Sequence, residues 1–227
     1  MEDMIQIAGI ASLAEAEMVV ACGATHIGFP LRLAYHKEDV SEIEAANIIR
    51  SVSGTCHSVL ITYLNRCDEI VEFVQQLNVA VVQLHAAIDV AELRALRQKL
   101  PHLKIIKSLI VGMDSEEQLL NTVADYAPYV DYFITDTFDP TTGATGATGK
   151  VHDWQISKRI VELSCKPVIL AGGLNAENVR EAIMAVKPAG VDTHTGVERA
   201  DGSKDKALVQ LFINEALVGF SAIQNQR

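Results

Sequence analysis

The sequence predicts a single (β/α)8 barrel of the TIM type, one domain running over residues 1–227. Three observations support it. Eight short apolar runs alternate with amphipathic stretches from end to end, the pattern of βα units feeding a parallel sheet. No long linker or change of composition divides the chain. Hydrophobic residues make up 49% of the sequence against 21% charged, enough to bury a large core. A doubly wound open sheet is the alternative fold, but it usually has fewer strands and leaves edges to protect.

The candidate strands are MIQIAGI from Met4, THIGF from Thr25, HSVLITY from His57, VAVVQLH from Val79, LKIIKSLIV from Leu103, YVDYFITD from Tyr129, PVILAG from Pro167 and AGVDTH from Ala189. Helical patterns lie between them. In SLAEAEMVVACG, Ser12 can cap the start and Gly23 the end; in DVAELRALRQKL, Asp89 precedes the helix and Pro101 follows it. KDKALVQLFINEAL supplies a last helix to cover the final strand. The segment TFDPTTGATGATGK, from Thr137 to Lys150, reads as a loop directly after a strand. It resembles a nucleotide P-loop only in part: Ala144 stands where the first glycine of G-x-x-x-x-G-K belongs and Val151 where Ser or Thr belongs, so that reading is rejected.

A formal net charge of −10 argues against nucleic acid or an anionic membrane as partner, because a phosphate backbone needs an excess of Lys and Arg. A single small anion is still compatible, since helix N-termini and backbone N–H groups can hold it. Cys22, Cys56, Cys67 and Cys165 show no C-x-x-C spacing and read as structural thiols of a cytoplasmic protein. No apolar run approaches the roughly 20 residues of a membrane span. No cofactor motif is visible, and the seven histidines lack ligand spacing, so no metal is expected.

In a parallel barrel the C-terminal strand ends form one rim around one pocket. That ring contains Ala8, Gly9, Phe29, Tyr63, Gln83, His85, Lys107, Asp136, Gly172, Gly173, Asp192 and His194. The glycine turns in LAGGLNAENVREAI and VDTHTGVE free backbone N–H groups and point to a phosphate site after the seventh and eighth strands. Asp136 ends a strand in an apolar sheet, where desolvation would raise its pKa toward that of a general acid.

Taken together, VQLH at Val82, FITDT at Phe133, GATGKVHDW at Gly146, ILAGGLNAENV at Ile169 and VDTHTGVERADGSKD at Val191 resemble the phosphoribosylanthranilate isomerase family nearly end to end. The resemblance implies an Amadori rearrangement of a phosphorylated pentose, a small phosphorylated sugar substrate, a possible homodimer and no cofactor. It assigns Asp136 as the acid that protonates the ribose ring oxygen and the turns at Gly172, Gly173, Thr195 and Gly196 as the phosphate site. The match breaks at the first strand. The family carries Lys-x-Cys-Gly there with cysteine as base, whereas this chain reads Gln6, Ile7, Ala8, Gly9.

A methyl group cannot accept a proton, so another base is required, and His194 and His36 are the candidates. A second departure puts Glu38 opposite the family arginine that binds the aglycone carboxylate, with Arg32 or Lys37 as possible replacements. His194 and Thr195 replace a Ser-Ser pair, and His152 replaces an aromatic residue. Ala8, Arg32, Gln83, His85, Lys107 and Asp192 complete the expected substrate surface. These departures predict an altered substrate. Two other functions compete: a phosphosugar aldolase or epimerase using Lys107 as a Schiff-base amine, and a non-catalytic phosphosugar-binding protein that has lost its base.

Overall fold

The structure, a computed structural model, describes residues 3–34, 37–113, 115–139, 144–145 and 153–225. Eight parallel strands close into a barrel: β1 (Met4–Ala8), β2 (His26–Pro30), β3 (His57–Thr62), β4 (Val81–Leu84), β5 (Lys104–Val111), β6 (Tyr132–Asp139), β8 (Val168–Leu170) and β9 (Gly190–Thr193). The order β5-β4-β3-β2-β1-β9-β8-β6 is closed by pairing of β5 with β6. Closure removes the edges that the open-sheet alternative would have exposed.

Each barrel strand leads into a helix, in order α1 (Leu13–Ala21), α2 (Glu42–Ser51), α3 (Cys67–Leu77), α4 (Val90–Lys99), α5 (Glu116–Tyr126), α6 (Trp154–Leu163), α7 (Val179–Val186) and α8 (Lys206–Gln224). Their starts follow the capping chemistry of the sequence. The Ser12 hydroxyl accepts the Glu15 N–H at 3.2 Å, and Asp89 accepts the Ala91 N–H at 3.3 Å. Gly23, at φ +103°, takes the left-handed turn that ends the first unit.

The loop expected from Thr137 to Lys150 needs correction. β6 continues through Thr137 to Asp139, and its last two residues pair antiparallel with a two-residue strand β7 (Ala144–Thr145). Backbone pairing needs no apolar side chains, so the Gly- and Thr-rich composition concealed it. The remainder of that segment and His152 lie outside the described residues. The membrane expectation also changes in detail. The 19-residue α8 is long and apolar enough by composition to cross a membrane, yet Val209, Phe212, Ile213, Ala216 and Phe220 are buried in the fold. All four cysteines are free thiols.

Side chains alternate across the sheet with period two. Met4, Ala8, Val59, Ile61, Val81, Ile106, Ile134, Ile169 and Ala171 fill the barrel interior, while Ile5, Ile7, Val82, Leu84, Ile105, Leu109 and Phe133 join the larger core beneath the helices. Fully burying one such aliphatic or aromatic side chain contributes roughly 1.5–3 kcal/mol. The same alternation sorts the candidate site residues. Gln6, Ala8, Gln83, Ser108, Asp136 and Asp192 fall on the inner parity, and Lys107 falls on the outer one.

Candidate active site

Below the rim, the interior carries a polar layer. Gln6 Nε2 donates to Gln83 Oε1 at 3.3 Å, and Gln83 Nε2 donates to Ser108 Oγ at 3.3 Å. Gln6 also hydrogen-bonds the Asp192 carboxylate beside it in register. Gln83 is therefore a buried element of the barrel interior, occupied by its neighbours on β1 and β5, and lies below the rim.

Asp136 and Asp192 flank the small Ala171, one on each neighbouring strand. Burial pushes the Asp136 carboxyl up to about 7, opposed by one hydrogen bond from the Thr137 N–H at 2.8 Å. Asp192 is also pushed up to about 7, first by burial and then by the charge of Asp136; the Gln6 hydrogen bond and the Lys204 cation oppose the shift. Its Oδ1 is buried without a hydrogen-bond partner. Two carboxyls so placed cannot both ionise cheaply, so one of them keeps a proton near neutrality.

The turns after β8 and β9 show why they need glycine. Gly172 and Gly173 have φ of +97° and +64°, a region in which side chains are strained. A Cβ on Gly196 would overlap the Leu174 carbonyl oxygen, so the turns after β8 and β9 lie backbone against backbone. Thr193 Oγ1 donates to the same carbonyl at 2.7 Å and locks them together. Asn178 Nδ2 donates to the Gly173 carbonyl at 3.0 Å, tying the first turn to the start of α7. Thr195 and Gly196 form a short 3-10 turn, Thr195–Val197.

His194 stands directly after β9, beside Ala8 at the end of β1. Its Nε2 lies against Gly9, where a Cβ would collide with the ring, so Gly9 makes room for the imidazole. The same nitrogen is 3.3 Å from Glu198 Oε1 and 3.7 Å from Asp39 Oδ2. Glu198 is fixed by Lys204, whose buried Nζ donates to Glu198 at 2.6 Å and to the His194 carbonyl at 3.1 Å. Burial would raise the Glu198 carboxyl, but the His194 hydrogen bond and then the Lys204 bond hold it below its usual range. A proton kept on Nε2 by Glu198 leaves the lone pair on Nδ1. Glu198, Asp39 and Lys204 were missed by sequence reasoning, although Glu198 at four residues from His194 was a detectable spacing.

Arg32, expected on the substrate surface, is held here by other partners. It sits at φ +53° with its N–H bonded to Glu38 at 2.5 Å, and its guanidinium pairs with Glu42 at 2.9 Å while stacking 3.7 Å over the Phe73 ring. The cation thus belongs to the packing of α2 on α3, and Glu38 is directed to its own loop rather than to a ligand. Lys37 is exposed, and His36 lies outside the described residues. His85 is buried directly after β4 and packs tilted against Tyr63, with ring centres 4.7 Å apart and planes 44° from parallel.

Lys107 departs from the expected lumen position. Its Nζ donates to the Leu84 and Ser108 carbonyls at 3.1 and 2.7 Å, at the edge of a cleft outside the barrel lumen. A Schiff base with a sugar carbon held above Asp136 has no geometric support. Among the described residues, no cluster of three or more His, Cys, Asp or Glu could hold a metal ion.

Residues 5–215 match the family model described as N-(5'phosphoribosyl)anthranilate (PRA) isomerase. The chain is 36% identical over 223 residues to N-(5'-phosphoribosyl)anthranilate isomerase 2 of Methanosarcina mazei, with 97% of each chain covered. Among solved structures, it superposes with a TM-score of 0.79 and 25% identity on monomers generated from the dimeric Thermotoga maritima enzyme, covering 96% of this chain and 100% of that one. A phosphoribosylanthranilate isomerase in complex with reduced 1-(o-carboxyphenylamino)-1-deoxyribulose 5-phosphate superposes with a TM-score of 0.78 at 26% identity, with the same coverage. With the closed barrel, the paired glycine turns and the buried Asp136 in place, these matches show that the chain belongs to the phosphoribosylanthranilate isomerase family.

Proposed function

We propose that this family member isomerises a phosphoribosyl amine by acid–base chemistry in which His194 replaces the family's cysteine. The observation that carries the reading is the pairing at the rim of a buried, proton-retaining Asp136 with an imidazole seated on Gly9 beside Ala8. The turns at Gly172, Gly173, Thr195 and Gly196 would anchor the phosphate and fix the pentose over the mouth.

Asp136 donates its proton to the ring oxygen, the C1–O bond breaks, and the nitrogen lone pair forms a C1=N iminium. The His194 Nδ1 then takes the C2 proton, giving an enolamine that tautomerises to the 2-ketose. Protons return to Asp136 and leave the imidazole, with no net oxidation. Glu198, braced by Lys204, stabilises the imidazolium formed midway. Burial keeps a negative charge from settling on Asp136 before the sugar arrives. Because Glu38 is bonded to the Arg32 N–H, the repulsion that favoured a different aglycone loses its basis, and the relatives' N-(5'-phosphoribosyl)anthranilate is the first substrate to assign. A homodimer is part of the same proposal, supported by the dimeric Thermotoga maritima relative.

Rescue of a tryptophan auxotroph lacking this isomerase, combined with C2 proton exchange in heavy water, tests the reading. Growth together with exchange is expected. No growth and no exchange across a panel of phosphoribosyl amines would favour the non-catalytic alternative; growth only after Ala8→Cys would show that His194 is not the base.

A further inference from the structure

Strand lengths create an opening on one side of the rim. β4 stops at Leu84, which pairs with Lys107, whereas β5 runs on to Val111. Ser108 to Val111 therefore keep β6 on one flank and have no strand on the other. The space left above β4 is a cleft of about 590 Å³ whose lining includes Tyr63, His85, Lys107, Ile110, Met113 and Tyr126. It opens among the loops after β2, β3, β4 and β5. In the closed strand order β4 is four steps from β9 by either path, so the cleft lies across the mouth from the phosphate turns.

The floor of that cleft is cationic. Lys107 is only 4% exposed, and its ammonium donates to the carbonyls of Leu84 and Ser108 where β4 ends. Two of its three N–H groups are accounted for. Among the described residues no acid accompanies it: burial alone sets its pKa, pushed down to about 7, with no described carboxylate holding the proton. A buried cation without a counter-ion is a site that an incoming anion stabilises strongly. The walls contributed by Tyr63, Met113, Leu119 and Tyr126 suit a flat apolar body. Arg32, the other candidate for an acidic aglycone, is held by Glu42 and Phe73.

We propose that the cleft above β4 receives the aromatic aglycone of the substrate and that Lys107 recognises its carboxylate. The proposal rests on the isomerase reading for the words substrate and aglycone, but its test does not require turnover. Anthranilate and aniline differ by the carboxylate, and each can be titrated against the whole protein in the presence of inorganic phosphate.

The wild type should bind anthranilate at least about tenfold more tightly than aniline, as expected for one charge-assisted contact. Lys107→Met should bring that ratio to about one while leaving aniline binding within roughly twofold. If the variant does not fold, the wild-type ratio followed between about pH 6 and pH 9 decides. It should decline as pH rises and the lysine loses its proton, because anthranilate stays ionised throughout. A ratio that persists in Lys107→Met, that is flat with pH, or that is one in the wild type would overturn the proposal. A pH-dependent preference for anthranilate without C2 exchange would count against the isomerase reading and leave the cleft assignment standing.

Discussion

Replacing Asp136 by Asn should remove catalysis and, above neutral pH, stabilise the fold. The isolated carboxyl has a pKa of 3.8, and burial inside the barrel raises it to about 7. The folded state therefore binds the proton more tightly than the unfolded chain. Stability from this group is fully present below the unfolded pKa and is lost as pH rises through the folded one.

At about 1.4 kcal/mol per pKa unit, the full loss is on the order of 4 kcal/mol, and about 2–3 kcal/mol of it falls between pH 5 and pH 9. Asparagine keeps nearly the same volume and does not ionise. The stability difference between Asp136→Asn and wild type should therefore grow by about 2–3 kcal/mol in favour of the variant over that range, measured by urea unfolding at each pH. Neutralising Asp136 also relieves Asp192, which acts in the same direction. Turnover should fall by at least about a hundredfold from loss of the general acid. A stability difference that stays level from pH 5 to pH 9 would refute the buried-acid argument, whatever happened to activity.

Other perturbations follow from the same geometry. His194→Gln should lower kcat by about 10²–10⁴ while KM changes little, and adding Ala8→Cys should recover part of the loss, as read from steady-state kinetics. Gly196→Ala drives a methyl into the Leu174 carbonyl, so it should lower stability by about 1–3 kcal/mol and raise the midpoint for inorganic phosphate binding, measured by calorimetry. Arg32→Ala should leave KM within about twofold while costing about 1 kcal/mol of stability, because its partners are Glu42 and Phe73; a large KM effect would restore Arg32 to the site. At the opposite mouth, His26 packs on His57 with ring centres 4.8 Å apart, and burial followed by the charge of His57 lowers its pKa to about 4. Its neutral form is the stable one, so stability should fall as pH drops from about 6.5 through about 4, and His26→Asn should flatten that limb in an acid-denaturation series.

Local sequence carried the repeating parts of this molecule. Strand and helix periods, the Ser12 and Asp89 caps and the glycine turns depend on neighbours a few residues away, so all eight strands and the closed barrel were readable. Asp136 was readable for the same reason, as an acid closing an apolar run, although β6 continues beyond it. What needed the folded chain were the contacts between distant segments. The pairing of Arg32 with Glu42 and Phe73, the bracing of His194 by Asp39 and Lys204, and the meeting of Gly196 with Leu174 join loops whose approach is set by barrel closure.

Lys107 shows the limit most clearly. Its place at a strand end suggested the lumen, but period two turned it outward, and the early stop of β4 beside the longer β5 gave its ammonium a cleft to face. A difference in length between neighbouring strands is a property of the sheet, and no single segment of the chain contains it.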